Sequence, residues 1–512
     1  MIKKPFCILL FCFSFCFWAS WSFAANIYID PTAGSGGDGS CVSPYDSWGD
    51  VSFSASNDYY QKCGTTWIGG GITLASITGS SGDRVILGAY YETAGPTCNI
   101  GISGAKPIIN RNSTSGSGIY LNGSSYVQIE NLDVRSGLQS IYLVDGSDYA
   151  VIKDSTVGLN SYGYGIRVQS SDDGKIYNCI IDSNNTYSTQ DGIQLGGSSG
   201  TYADARWEIY NNEFYSWYHN MISSGSGSDD ILIYYNYMDG TDCLDTDRCK
   251  GFGLGTGVRN KAHHNYIYNT NQASQLLGAK WAHVYNNVFD TVRPHTSPNT
   301  DGSFALNTTD GGASTRNNKV YNNTFYNCAK YCIYFWDDQA EADISNNEII
   351  NNIFLDWADD NKAGIWVGSD TNADIRDNTF RNNSYYESGD STIVNYKGVQ
   401  KTLAQWLAID GTDGNTISGE RNADPGLKNV GSQEFWPDDS GDDVVGNGYD
   451  LGASYDDLLD PDNTDFTASP PVVVTEVQPT LWTIGAYGQL GVGEDGVNSN
   501  LNGVILNGII IN

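Results

Sequence analysis

One short phrase recurs ten times between residues 131 and 377: an aliphatic strand, a polar residue that is mostly Asn or Asp, then a second hydrophobic pair. The aligned polar positions are Asn131, Asp154, Asn178, Asn211, Tyr235, His264, Asn286, Asn322, Asn351 and Asp377. The clearest copies read IYNNEF, VYNNVF, VYNNTF, INNIF and IRDNTF, and successive copies lie 22 to 36 residues apart. A unit of that length cannot bury its own apolar face, so copies must stack into a solenoid. Strand-length pieces with Asn at a bend and Gly ahead of the next strand predict an all-β fold, a parallel β-helix of about ten or more coils.

A second short strand precedes each phrase and is usually opened by Gly, as in SIYLV at 140–144, YGIRVQ at 164–169, DGIQLG at 191–196 and KAGIWVG at 362–368. Strand side chains alternate faces, so Ile and the next aliphatic residue of each piece point inward. Three strands per coil stack identical residues about 4.8 Å apart. The phrase Asn is expected to form a buried column that satisfies backbone groups at one bend. Composition agrees: 59 Gly and 34 Tyr against 3 Met describe a turn-rich, β-prone chain.

Regular coils are expected over 82–396, with an N-terminal cap over 25–81. A C-terminal cap region over 397–487 holds one helical piece around TLAQWLA, and a low-complexity tail covers 488–512. Lys3 and Lys4 precede an apolar run from Phe6 to Trp18, and Ser22-Phe23-Ala24 supplies small residues where a signal peptidase reads. Residues 1–24 therefore read as a signal peptide, and the mature protein as secreted: extracellular, periplasmic or at the cell surface. No later segment has eighteen apolar residues in a row, so membrane insertion is not expected.

Eight cysteines follow the leader, and an oxidising compartment favours pairing. Cys243–Cys249 would close the loop DCLDTDRC and Cys328–Cys332 the turn NCAKYC, while Cys179 falls at an inward position that suits a buried thiol. One of Cys41, Cys63 and Cys98 is then left over. The formal charge of −32 becomes −34 once the two leader lysines are removed. That balance argues against nucleic acid as a partner. Cations nevertheless gather locally: His263, His264, His283 and His295 lie near Lys250, Arg259, Lys261, Lys280 and Arg293, with His219 one coil earlier. His263, His264 and His283 fall on the second strand or its turn and read as structural.

The opening NIYIDPTAGSGGDG…SPYDSW, the first coils GDRVILGAYYE and ISGAKPIIN, the Asn-phrase coils and the ending TLAQWLAIDGTDG…ADPGL…TIGAY resemble the secreted bacterial right-handed parallel β-helix proteins of the pectin-lyase-like superfamily. That family includes polysaccharide lyases, glycoside hydrolases, epimerases and proteins with no known activity. The resemblance implies a substrate groove along the outer face of one strand per coil, and a polysaccharide as partner. Outward positions of the Gly-opened strands are Tyr142, Arg167, Gln194, Gln275, Asn307, Tyr334, Trp336 and Trp366. Aromatic faces stack on sugars, while Arg, Gln and Asn bond hydroxyls or a carboxylate.

Loops ahead of these strands bring chemistry to the column. SWYHN supplies Trp217 and His219, DCLDTDRCK supplies Asp242, Asp245, Asp247 and Lys250, and RPHTSPNTDG supplies His295 and Asp301. A lyase acting on a uronic acid needs a base beside the acidic proton and a cation to stabilise the charge that builds there. Arg167, His219, Lys250, His295 and Asp301 are the candidates for that work, with Tyr142, Gln194, Trp217, Tyr334, Trp336 and Trp366 as substrate contacts. A hydrolase would need two carboxylates, for which Asp247 and Asp301 are the nearest pair. DCLDTD (Asp242, Asp245, Asp247) and DPDNTD (Asp460, Asp462, Asp465) space carboxylates as calcium loops do, though neither completes the twelve-residue pattern. Calcium is therefore the candidate cation, and zinc and nucleotide motifs are missing from the sequence. The alternative function is a non-catalytic surface or matrix solenoid.

Overall fold

The computed structural model describes residues 25–93, 97–184, 190–197, 204–243, 248–293, 302–308, 313–336, 342–357, 362–368, 375–438, 441–452, 457–477 and 482–488, and the backbone of the short strands Ile505–Leu506 and Ile509–Ile510. The leader over 1–24 lies outside them, as do His295, Asp301, Asp245 and Asp247.

Among the described residues three long sheets, of 15, 13 and 13 strands, run side by side, and each coil gives one strand to each. Val151–Lys153, Thr156–Val157 and Tyr164–Gln169 are one such coil. Neighbouring coils pair in parallel and in register, so that Ile129, Ile152, Ile176, Ile209 and Ile233 form one inward column. All five are buried. Stacking of like on like makes one continuous core, and the molecule is a parallel β-helix. The sheets extend past 82–396 at both ends. Ala25–Ile29 already pairs with Asn57–Lys62, and Ser384 still pairs with Arg421.

The buried amide column stands one residue after the phrase Asn. Asn211, Asn286, Asn322 and Asn351 have φ between 52° and 57°. They make the left-handed bend that Asn tolerates better than most residues. The next residue turns inward. Asn212, Asn236, Asn265, Asn287, Asn323, Asn352 and Asn383 are buried, and each of the first six donates from Nδ2 to the next Oδ1 at 2.9–3.0 Å. Each Oδ1 also accepts a backbone N–H, as from Asn236 to Asn265 at 3.1 Å. Asp377 belongs to another corner: Ile350 pairs with Arg381, which puts Asn382 in the phrase position. Asp377 instead precedes Asn378 in a second ladder through Asn318, Asn347 and Asn415.

The helix Leu403–Leu407 opens with a Thr402–Gln405 capping box, and its Trp406 is buried against the last coils. The chain then returns along the outside, anchored by the phrase residues. Asn382 donates to Asn447 O and Asn351 to Tyr449 O, each at 2.8 Å, and Asn286 donates to Asp457 O. The disulfides Cys243–Cys249 and Cys328–Cys332 are formed, Cys41 pairs with Cys98, and Cys63 and Cys179 are free. Burial pushes the Cys179 thiol up to about 12.

Candidate functional site

The third sheet carries the groove. Its outward column runs Tyr120, Tyr142, Arg167, Gln194, Ser223, Gly253, Gln275, Ala305, Tyr334, Trp366, one residue per coil. Aromatic side chains stand at both ends, and between them the polar Arg167, Gln194 and Gln275 are interspersed with the small Ser223, Gly253 and Ala305. A cavity of about 640 Å³ opens in the small region, lined among others by Tyr164, Arg167, Asp191, Gln194, His219 and Gln275.

A second column runs at the start of the same strands, and its Asp191 and Asn220 form one wall of that cavity. Asn220 pairs with Lys250, which pairs with Gln272, and Asp191 lies two residues ahead of the preceding strand, Ile193–Leu195. All four are polar and buried. The backbone N–H and Nδ2 of Asn220 donate to Asp191 Oδ1 at 3.0 and 2.9 Å, and His219 Nδ1 lies 2.8 Å from the same oxygen. A carboxylate oxygen only accepts, so a proton on His219 Nδ1 serves Asp191 and leaves Nε2 an acceptor, whereas Asn220 Nδ2, 2.8 Å from the same Nδ1, donates to it in the other tautomer. The Asp191 side chain is 2% exposed and that of His219 30%, which places an oriented imidazole at the cavity surface.

Lys250 lies behind this wall. Its Nζ donates to Gln275 Oε1 at 2.7 Å. Burial lowers its ammonium to about 7, helped by the charge of Arg248 and opposed by Asp191. Arg167 is held between rings, 4.8 Å over Tyr164 and 5.6 Å over Tyr142. Among the described residues Arg167 Nε, Gln194 Oε1 and Asn220 Oδ1 are buried without a hydrogen-bond partner. Each such orphan costs about 1–3 kcal/mol, a cost relieved when a ligand supplies the partner.

Farther along the same face four aromatic rings cluster outside the main core. Tyr334 stacks on Trp366 at 4.5 Å and on Trp336 at 5.6 Å between ring centres, and Tyr331 packs beside them. The two tryptophans are half-buried, while Tyr334 is covered by its neighbours. The structure thus brings Arg167, Gln194, His219 and Lys250 together and puts Tyr142 and the Tyr334–Trp366 cluster on either side.

Trp217 is not a substrate contact. It is buried, its Nε1 donates to Ile181 O at 3.0 Å, and its ring fills space left by glycines in neighbouring coils. A Cβ on Gly158 would sit 2.8 Å from the indole, and one on Gly165 or Gly192 3.1 Å from it. Asp191 was not singled out by sequence reasoning. The available signal was four successive polar residues, Asp191, Asn220, Lys250 and Gln272, at the strand position just before a buried small or apolar residue. His264 is fully buried and held down to about 3 by desolvation, as suits a structural residue.

Among the described residues no group of three or more His, Cys, Asp or Glu side chains converges as a metal site. Asp242 is exposed on its loop. In DPDNTD, Asp460 Oδ1 accepts from the Asp462 N–H at 2.8 Å and Asp465 Oδ1 from the Thr467 N–H at 2.8 Å, so these carboxylates serve their own turns. Asp245 and Asp247 of DCLDTD lie outside the described residues.

The pattern of the right-handed β-helix region matches residues 117–206 and 191–380, which together exceed half of the chain. The chain belongs to the right-handed β-helix family. No curated protein matches it. Among solved structures, this β-helix is similar to the lacto-N-biosidase of glycoside hydrolase family 136 from Eubacterium ramulus, with 11% identity, 78% of this chain and 67% of that one covered, and a TM-score of 0.48. A mannuronic acid specific polysaccharide family 6 lyase from human gut microbiota gives 14%, 80%, 93% and 0.47, and an alginate lyase from Paenibacillus sp. gives 15%, 60%, 92% and 0.40. Likeness at this level is one of fold and assigns no chemistry. Among the described residues no helix of the β-helix is long and apolar enough to cross a membrane.

Proposed function

We propose that this β-helix is a secreted enzyme that cleaves an acidic polysaccharide by β-elimination in the groove of its third sheet. The observation that carries the reading is that the His219–Asp191 pair and Arg167 line one cavity. Arg167 neutralises a uronate carboxylate, which acidifies the proton on the adjacent carbon C5. His219 Nε2 removes that proton, the electron pair forms the C4=C5 bond, and the C4–O bond breaks. The leaving oxygen takes a proton from water. Asp191 holds the imidazole and stabilises the imidazolium as it forms. Lys250 acts from behind by fixing the Gln275 amide, which with Gln194 bonds sugar hydroxyls.

Hydrolysis fits less well. It needs two carboxylates flanking the bond. Asp191 is the one acid among the described lining residues, and its Oδ1 already faces three nitrogen atoms. The three disulfides support an oxidising compartment and hence secretion. The test is to incubate purified protein with polygalacturonate, alginate and glycosaminoglycans and follow the near-ultraviolet absorbance of an unsaturated uronate. A signal that falls at least a hundredfold in His219→Ala supports the reading. No signal on any polymer rejects it in favour of a surface solenoid without catalysis, and an undiminished signal in the variant rejects His219 as the base.

A further inference from the structure

The outward column of the third sheet is aromatic at two places and carries polar and small residues between them. At one end Tyr120 and Tyr142 stack with ring centres 5.4 Å apart. At the other, Tyr334, Trp336 and Trp366 form the cluster described above. Between them the small Ser223, Gly253 and Ala305 are interspersed with Arg167, Gln194 and Gln275, and the cavity opens over this stretch. A Cβ on Gly253 would already stand 3.1 Å from Asn220 Oδ1.

The reactive pair sits inside this span. Three strand spacings separate Tyr142 from Ser223, on the strand that follows His219, and four separate Ser223 from Tyr334. At ~4.8 Å per strand these are ~14 Å and ~19 Å, each long enough for more than one sugar. Polar atoms await a partner beside the far cluster as well. Asn307 pairs with Trp336 and Asn395 with Trp366 across neighbouring strands, and among the described residues the Oδ1 atoms of both are buried and unpaired. Asn395 itself is 9% exposed. Rings that cover sugar faces and amides that bond hydroxyls therefore stand on both sides of the centre.

We infer that this face seats an internal stretch of a long glycan, with one aromatic platform on each side of His219, so that cleavage is endo-acting and strengthens with chain length. The inference rests on the elimination reading for its reaction, but the platforms can be tested without it. Electrophoresis through gels containing polygalacturonate or alginate reads binding alone. Tyr142→Ala and Trp366→Ala are each expected to weaken retardation about tenfold, the worth of ~1.4 kcal/mol, and Trp366→Phe to restore most of it. Wild-type protein is expected to lower polymer viscosity early and to release fragments of many lengths, while both alanine variants lose activity on polymer more than on trisaccharide. A wild type that is not retarded, or alanine variants retarded equally to it, overturns the platforms whatever the reaction. Release of one short product from the first turnovers overturns endo action. Platform-dependent retardation without any cleavage overturns the elimination reading and leaves the platforms standing.

Discussion

Asp191 Oδ1 lies 2.8 Å from His219 Nδ1 although the two residues come from successive coils, 28 positions apart. The parallel register brings them together, and burial of Asp191 strengthens the bond it makes. Asp191→Asn keeps the shape but can present a donor to Nδ1 and so reverse the tautomer. The expected result is a loss of about 10²–10⁴ in kcat with KM nearly unchanged and melting temperature within a few degrees. Steady-state kinetics on the polymer that His219 acts upon, beside a thermal melt, check this.

Lys250 gives stability a pH dependence of definite sign. Its folded-state ammonium titrates near about 7, against an ordinary value of 10.5. Between those values the unfolded chain binds more protons than the native one, so this group makes stability rise with pH from about 7 to about 10.5. Lys250→Met removes that contribution. Its melting temperature, relative to wild type, is expected to be most favourable at pH 7 and to lose the advantage by pH 10, read by scanning calorimetry across that range.

Glu420 acts in the opposite sense. Its Oε1 accepts from Asn383 Nδ2 at 2.9 Å and closes the long amide ladder, and its Oε2 accepts from the Tyr385 hydroxyl. Burial raises the carboxyl from 4.5 to about 7. Stability from the protonated form is full below pH 4.5 and is lost as pH rises through about 7. Glu420→Gln stays neutral throughout, so its advantage over wild type should grow across that window to on the order of 3 kcal/mol at pH 8. Denaturant melts at pH 4.5 and pH 8 measure the difference. Equal gaps at both pH values would mean that Glu420 is not desolvated.

Much of the fold was legible because a solenoid repeats its instructions. Ten phrases gave the coil length, and Gly-opened strands gave the groove face. The register within the bend was not, since NN doublets such as Asn211-Asn212 present two equivalent candidates. Only the backbone shows which one takes φ near 52° and which one turns inward. Asp377 was misplaced for a related reason: IRDNTF and the following RNNSYY both fit the phrase, and the added strand Ile375–Arg376 creates a second corner. Arg167, His219 and Lys250 were legible as polar residues on or before outward strand positions. Asp191 was not, because an acid before a glycine looks like a turn until the coil above it places a histidine over it.

Trp217 and Trp366 test how the two kinds of tryptophan in this molecule differ. Trp217 plugs a hole opposite glycines of neighbouring coils and donates to Ile181 O, whereas Trp366 lies outside the core against Tyr334. Truncating a fully buried indole leaves a cavity the stacked sheets cannot close, because every coil is fixed by the strands on either side. Trp217→Ala is expected to destabilise by about 3–5 kcal/mol. Trp366→Ala gives up only ring stacking and partial burial, about 1 kcal/mol. Chemical denaturation of both variants separates the two cases. The glycine positions supply an independent arm: Gly158→Ala should destabilise strongly in the wild-type background, because its φ of 103° and the indole 2.8 Å away both oppose a Cβ. In the Trp217→Ala background the part of that penalty due to the indole disappears, while the backbone part and the contact with Asp182 O at 3.0 Å remain. A double-mutant cycle is therefore expected to show coupling of 0.5–3 kcal/mol between Gly158 and Trp217. Additive effects would mean that the indole does not occupy the space the glycine leaves.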